Sequence, residues 1–376
     1  MGVKRLFQIV KFCANECISE KRFTEYRGTV QAIDASLLLY KFCIALMNTE
    51  HFKKDDGEII GHIFACFFKT ISMLRYGIMP LWIFDGKPPH IKQETIDERR
   101  KLKETAISRL STNNLIDKNE KSKLEKKTFS ITSKQINELK KLLDYIGINY
   151  IDAPSEAEAQ CAAMNISGMC DGVVTEDWDA VLFGCKKMLK DFSNKTNVVE
   201  IDVEKLMMEL GINQIQLIDL CSILGNDYCS GIGGLKPIDA YLKFKTSNFD
   251  MRIFLDILKT ENNIKQKYYI PEDFEREWIL SRNYYLHAPV LRPNSIIIKW
   301  NEPQYDKLYK YLVNEKQLNS DIVKLKINEL RIMHKNYIRN NSTLLALNHI
   351  NNEIVIKKYT YSESQIQQKT KLMVKS

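Results

Sequence analysis

From the start of the chain to Asp227, short runs of β-branched and aromatic residues alternate with longer segments whose apolar residues recur at helical spacing. Residues 29–33, 80–84, 149–151, 172–175 and 188–189 read as strands, and residues 37–47, 61–76, 132–146 and 156–166 as helices. Few architectures accommodate that alternation. It predicts an α/β fold with a parallel sheet covered by helices on both faces, in which ligands sit beyond the carboxyl ends of the strands.

Those ends carry acid. Asp34 closes VQAID, Asp85 follows LWIF, and Asp177 and Asp179 follow GVVTE. Glu156 and Glu158 open a helical segment, and Asp227 follows the apolar run LCSILGN. Gathered carboxylates repel one another and lose solvation, so they persist only with cations to neutralise them. Hard oxygen donors without clustered His or Cys point to Mg²⁺ or Mn²⁺ rather than zinc. Hydrolysis of a phosphodiester at a two-metal site is the natural use of such a cluster.

Each position also has a structural alternative. Asp34 and Asp227 are possible N-caps, Asp85-Gly86 reads as a turn, and Ser155 with Glu158 fits a capping box. Seven acidic residues with one geometry at the sheet ends favour a shared site over separate local roles. Glu156 and Glu158 stand about 200° apart on a helix, so both approach one site only at its first turn. Asp177 and Asp179 face a similar constraint, and one member of each pair would reach its ion through water.

The chain has 376 residues, 44% of them apolar and 27% charged, enough for a large core without staples. Its nine cysteines occur singly, which argues for buried reduced thiols rather than disulfides or zinc sites. Lys69 and Arg75 interrupt the longest apolar region, so it reads as core and no membrane partner is expected. The net charge of +8 includes the acidic cluster, so the rest of the surface is strongly cationic. A basic surface around an acidic pocket suits a polyanion held by its backbone.

Residues 90–127 contain 11 Lys or Arg against 7 Asp or Glu, with helical propensity on both sides of a Ser-Thr-Asn-Asn break. A solvated excursion is one reading; a basic element poised above the acidic site is the other. Lys92 and Arg99 are seven apart, which on a helix puts them within about 20° of one face. Beyond Asp227, residues 237–244, 250–260, 274–285 and 305–313 read as helices, with an extended run at 295–300. From about residue 336 the chain is rich in Asn, Ile and Lys without clear period, and a poorly ordered tail is expected. Between two helical patterns, LGNDYCSGIGGLKP is a glycine-rich turn, either an ordinary helix–helix loop or a phosphate cradle.

These blocks together resemble the flap endonuclease branch of the XPG-type structure-specific 5′ nucleases. MGVKRL, IDASLLLY, the segment from FFKT to GIMPLWIFDGKPP, DAPSEAEAQCAA, TEDWDAVLFG, LCSILGNDYC and NEPQYDKLYKYLVNEKQ carry the resemblance as far as about Arg331. It implies a Mg²⁺-dependent nuclease with a PIN-like sheet, a helical arch over the active site at 90–130 and a helix-two-turn-helix at about 217–245. The remaining boundaries it implies are an N-terminal nuclease region at 1–100, an internal one at 131–245, a helical region at 246–335 and a tail at 336–376. Position by position, Asp34, Asp85, Glu156 and Glu158 would serve a first metal, and Asp177, Asp179 and Asp227 a second. Lys92 and Arg99 match the basic pair that steers and polarises the scissile phosphate. Tyr40 matches an aromatic that stacks on the nucleotide beside the cut, and Gly2 matches the processed N-terminus next to the active site. Gly231, Gly233, Gly234 and Lys236 fall in the turn that grips duplex DNA.

There are three departures. Lys236 replaces a glycine of that turn, where a potassium-assisted duplex contact is expected and a lysine could take the ion's place. Arg5 stands where MGxxGL would have glycine. Beyond Arg331 no sliding-clamp peptide of the form Q-x-x-[ILM]-x-x-[FY]-[FY] is visible. The resemblance implies a monomeric 5′ flap endonuclease of DNA replication and repair, working on branched or flapped DNA in the nucleus, or at a cytoplasmic replication site if the chain is viral. A 5′ exonuclease or Holliday-junction resolvase of the same superfamily is the near alternative, and a non-catalytic DNA-binding scaffold the distant one.

Overall fold

A computed structural model describes residues 3, 5–46, 54–112, 117–193, 196–264 and 266–350. Helix α1 (Leu6–Cys13) precedes strand β1 (Ile18–Lys21). Strand β2 (Val30–Asp34) leads into α2 (Ala35–Leu46) and α3 (Gly61–Arg75), and β3 (Met79–Phe84) into α4 (Gln93–Thr112) and α5 (Lys118–Thr128). Next come α6 (Ser133–Ile146), β4 (Tyr150–Asp152), α7 (Ala157–Ile166), β5 (Gly172–Val174) and α8 (Asp179–Leu182). Strands β6 (Lys187–Lys190) and β7 (Val198–Asp202) close the sheet. The rest is helical: α9 (Val203–Leu210), α10 (Gln214–Leu224), α11 (Pro237–Thr246), α12 (Met251–Ile264) and α13 (Phe274–His287). Helix α14 (Tyr305–Tyr309) continues as a π-helical turn, Lys310–Glu315, before the long α15 (Ser320–Ile350).

The sheet order is β1-β7-β6-β5-β2-β3-β4. The five strands from β6 to β4 are parallel, as the βα alternation predicts, but β7 runs antiparallel to both β6 and β1. The sheet is therefore mixed rather than parallel throughout. The central strands read as unbroken apolar runs because both faces are covered. Along β2 and β3, Ala32, Leu81 and Ile83 enter one core, while Ile33, Trp82 and Phe84 enter the other. Val173 and Val174 divide in the same way.

Helix α6 starts on a capping box in which Gln135 N donates to Thr132 Oγ1, and ends on Gly147 with φ +84°. The final helix corrects the start of the tail expected from about residue 336, since residues 336–350 are helical. Val323, Ile327 and Leu330 bury one side of α15 in the core that also holds α3, and the helix runs on through Ile350. Residues 351–376 lie outside the described residues. The expected extended run at 295–300 makes a single bridge, Trp300 to Ile148. None of the described helices is long and apolar enough to cross a membrane.

Candidate active site

Register alone brings three carboxylates side by side. Asp34 ends β2, Asp85 follows β3 and Asp177 lies three residues beyond β5, and these strands are neighbours in the order β5-β2-β3. Thr175 ties two of them together: its hydroxyl donates to Asp34 Oδ2 (2.9 Å) and accepts from the Asp177 amide (3.1 Å). The Asp179 amide in turn donates to Asp177 Oδ1 (3.2 Å).

The structural alternatives are partly real. Asp34 Oδ1 accepts from the Leu37 amide at 3.2 Å and so does cap α2. Asp85 is not confined to a local turn: its Oδ1 accepts the Ala157 amide at 2.9 Å and caps α7 from another strand. The Ser155–Glu158 capping box does not form. Ser155 Oγ pairs with the Tyr284 hydroxyl at 2.8 Å, and Glu156, the N-cap residue, makes no capping bond. Glu156 is held instead by Lys92 Nζ and the Tyr228 hydroxyl. Gly86 is dictated by proximity, since a Cβ there would lie 2.0 Å from the Ala153 carbonyl.

Asp34, Glu156, Asp177 and Asp179 are buried, Asp227 is half-buried, and Asp85 is exposed at the mouth. Burial, then Asp85, push the Asp34 carboxyl up to about 7. Burial, then Asp34 and Asp85, carry Glu158 well above its ordinary range; burial followed by Asp177 and Asp227 does the same to Asp179. Asp177 is raised by burial too. Only Asp227 goes the other way. Burial works to raise it, but Lys92 and Arg99 more than offset that and hold it below the usual carboxylate range.

Those two cations come from the arch. Lys92 ends a 3₁₀ turn that runs straight into α4, and Arg99 lies two turns further on. Lys92 Nζ contacts Glu156 and sits 3.1 Å from Asp227 Oδ2, while Arg99 spans both Asp227 oxygens at 2.9 Å. The shared face expected from their spacing is thus a shared target. Thr95, between them, donates to the Asp227 carbonyl at 2.7 Å. Burial opposes the charge on Lys92, yet Glu156, Asp227 and Glu158 outweigh it and hold the ammonium above its ordinary range.

The donor set, all carboxylate oxygen, suits a hard divalent ion. Asp179 Oδ1 is buried with no hydrogen-bond partner, as expected of a ligand atom and costly for any other. Among the described residues, however, no three acidic side chains are drawn tightly enough together to hold an ion as they stand, and Glu156 and Asp227 are turned to the arch cations.

The expected DNA contacts are less uniform. Tyr40 is half-buried and engaged by the arch, its ring 5.8 Å from Phe129 and its hydroxyl donating to the Lys126 carbonyl at 3.0 Å. Gly2 lies outside the described residues. Gly231 and Gly234 adopt φ of +78° and +80° in the loop between α10 and α11, and Gly233 pairs with Tyr269. Lys236 is exposed at the N-cap of α11. The cation lying on the loop's carbonyls is not Lys236 but Arg5, which donates to Leu224 O and Leu235 O. Thr175, Tyr228 and Arg5 are the site residues that pattern reasoning missed. Their partners lie from 72 to 230 residues away for Tyr228 and Arg5, a relation without local signal.

A carboxylate floor at strand ends, crossed by cations from a helical arch, defines a metal-dependent phosphodiester nuclease. Comparison with known proteins agrees. The XPG N-terminal domain matches residues 1–106 and the XPG I-region residues 147–227. Flap endonuclease 1 of Homo sapiens is 32% identical over 339 residues, covering 88% of this chain and 86% of the human protein. That of Entamoeba histolytica is 33% identical over 338 residues, with 88% of each chain covered. Among solved structures, flap endonuclease-1 from Methanococcus jannaschii superposes with a TM-score of 0.66 at 27% identity, covering 88% of this chain and 99% of that one. The catalytic core of Rad2 in complex with DNA substrate gives 0.66 at 26%, covering 88% and 100%. GEN1 in complex with Holliday junction DNA shares the fold, with a TM-score of 0.62, 19% identity and 89% of this chain and 78% of that one covered. This chain belongs to the flap endonuclease branch of the XPG family of nucleases.

Proposed function

We infer that this protein is a structure-specific 5′ flap endonuclease that hydrolyses DNA phosphodiesters at single-strand/duplex junctions. The observation that carries the reading is the buried carboxylate floor faced by Lys92 and Arg99, in a chain whose relatives along nearly its whole length are flap endonucleases. Asp34, Asp85, Glu156 and Glu158 serve one Mg²⁺, and Asp177, Asp179 and Asp227 a second, with Mn²⁺ able to replace either. The ions, when bound, supply charge stabilisation and an activated water.

The chain's own groups set up the reaction. Thr175 and the amides of Leu37, Ala157 and Asp179 fix the orientation of Asp34, Asp85 and Asp177, so the rearrangement that ion binding requires falls on Glu156 and Asp227, which exchange the arch cations for the ion. Lys92 and Arg99 leave the carboxylates for the scissile phosphate and stabilise its growing charge, and Tyr228 then keeps hold of Glu156. The arch at 90–130 admits the single strand, Tyr40 stacks on a base, and the loop between α10 and α11, with Gly231, Gly233, Gly234 and Lys236, holds duplex backbone. Recognition by backbone and shape makes sequence preference slight. The protein acts as a monomer on branched or flapped DNA, in the nucleus of a eukaryotic host.

Replacing one floor carboxylate tests the assignment. Asp177→Ala or Asp179→Ala should abolish cleavage of a 5′ flap in Mg²⁺ while leaving flap affinity nearly intact, because loss of negative charge does not weaken phosphate attraction. Near-normal turnover in either variant would contradict the two-metal reading.

A further inference from the structure

The loop between α10 and α11, residues 225–236, is folded tightly on itself. A Cβ on Gly231 would lie 2.6 Å from Gly225 N, and one on Gly234 would lie 2.3 Å from the Lys267 carbonyl. Ile232 N donates back to Ile223 O, and Gly233 and Tyr269 exchange two backbone hydrogen bonds of 2.8 and 3.1 Å. The two ends of the loop are joined by a residue from the opposite end of the chain. Arg5, at the N-cap of α1, donates to Leu224 O at 3.2 Å and also to Leu235 O. Leu224 is the last residue of α10, so its carbonyl carries the negative end of that helix dipole.

A phosphate approaching this loop meets opposing fields. The start of α11 and the exposed Lys236 attract it, while the carbonyls of Leu224 and Leu235 repel it unless a cation lies on them. The guanidinium supplies that cation permanently. Two of its five N–H groups suffice for the carbonyls, and among the described residues the others have no partner. The half-buried side chain keeps those donors within reach of solvent.

We propose that Arg5 is the internal counter-cation of the duplex-binding loop: it positions residues 225–236 through the two carbonyls and lends its charge to a DNA phosphate seated beside Lys236. The proposal rests on the reading of this loop as the duplex-gripping element. It assigns the N-terminal segment a part in duplex binding separate from the carboxylate floor, and it makes Arg5, a departure from the glycine usual in MGxxGL, a gain.

The test uses the full chain, a nicked duplex bearing a 5′ flap, and fixed ionic strength. Arg5→Gly should weaken binding about tenfold, the scale of a lost charged hydrogen-bonding group. KM should rise by a similar factor while kcat falls by less than about twofold, since the loss is in binding rather than at the cut. Arg5→Lys should recover most of the affinity, and added methylguanidinium should restore part of it to Arg5→Gly without helping the unmodified protein. Unchanged affinity in Arg5→Gly, or a loss that neither lysine nor methylguanidinium repairs, overturns the proposal. Should Arg5→Gly fail to fold, Arg5→Lys and Arg5→Gln decide: lysine binding much tighter than glutamine supports the counter-cation, and equal binding rejects it. If the unmodified protein neither binds nor cuts the flap, the functional reading falls and takes the proposal with it; if it does both and Arg5 variants match it, only the proposal falls.

Discussion

Trp178, Ile33 and Val174, which flank the carboxylates of the floor, are buried, and the strands there are covered on both faces. The arch is built otherwise. In α4 Leu102 and Ile107 lie exposed, and Ala106 and Leu124, the buried apolar side chains of the arch helices, join neither main core. Apart from Ile91 at its base and the ring contact of Phe129 with Tyr40, the arch meets the floor through polar contacts, Lys92 and Arg99 on Asp227, Thr95 on its carbonyl and Tyr40 on Lys126. A floor anchored in two cores holds repelling charges in place, whereas an arch held by ion pairs can exchange those pairs for phosphate. Preorganisation and adaptability are thus assigned to different stretches of chain.

The contrast is broken most severely at the arch cations. Lys92→Ala and Arg99→Ala should each slow single-turnover cleavage by on the order of 10²-fold, as for loss of one transition-state charge contact, with a smaller loss of affinity. Equal losses in rate and binding would make them ordinary backbone contacts.

Stability should separate the two regions next. Phe67→Ala, under the sheet, should cost about 3–5 kcal/mol in chemical denaturation, and Leu102→Ala in the arch should stay within about 0.5 kcal/mol. Phe67 is fully buried and Leu102 is 65% exposed. Comparable costs at the two positions would show that the arch is part of the cooperative core.

The smallest effect concerns pH. In the metal-free protein Asp34 keeps its proton up to about 7 against an ordinary 3.8. Between those values the folded state binds more protons than the unfolded chain, so its stability should fall as pH rises through that window. Asp34→Asn should flatten the fall, melting a few degrees higher than the unmodified protein at pH 8 in a chelator and little differently at pH 4. Parallel melting curves for the two proteins would refute the strained carboxylate.

What was legible in the sequence follows the same division. The five parallel strands lie within a residue or so of their expected places, because strands buried on both faces announce themselves as unbroken apolar runs. The antiparallel edge did not. In β1, ISEK, the two central residues are exposed, and only pairing with distant β7 makes it a strand. The first half of α15 falls in the helical region expected at 246–335, and Val323, Ile327 and Leu330 anchor it in a core; its continuation from about residue 336 to Ile350 was missed because that Asn-rich stretch has poor helical propensity. The carboxylates were legible because strand ends place them. The roles of Thr175, Tyr228 and Arg5 were not, since each depends on a partner that only the tertiary fold supplies.

The most direct test is cleavage of one panel of substrates, 5′ flap, nicked, gapped and four-way DNA, under single-turnover conditions in Mg²⁺. The 5′ flap should be cut fastest by a wide margin and at the base of the flap, with the nicked and gapped duplexes slower and the four-way junction slowest. Preference for the four-way junction, stepwise trimming of the nicked duplex from its 5′ end, or binding without any cleavage would contradict assignment as a flap endonuclease.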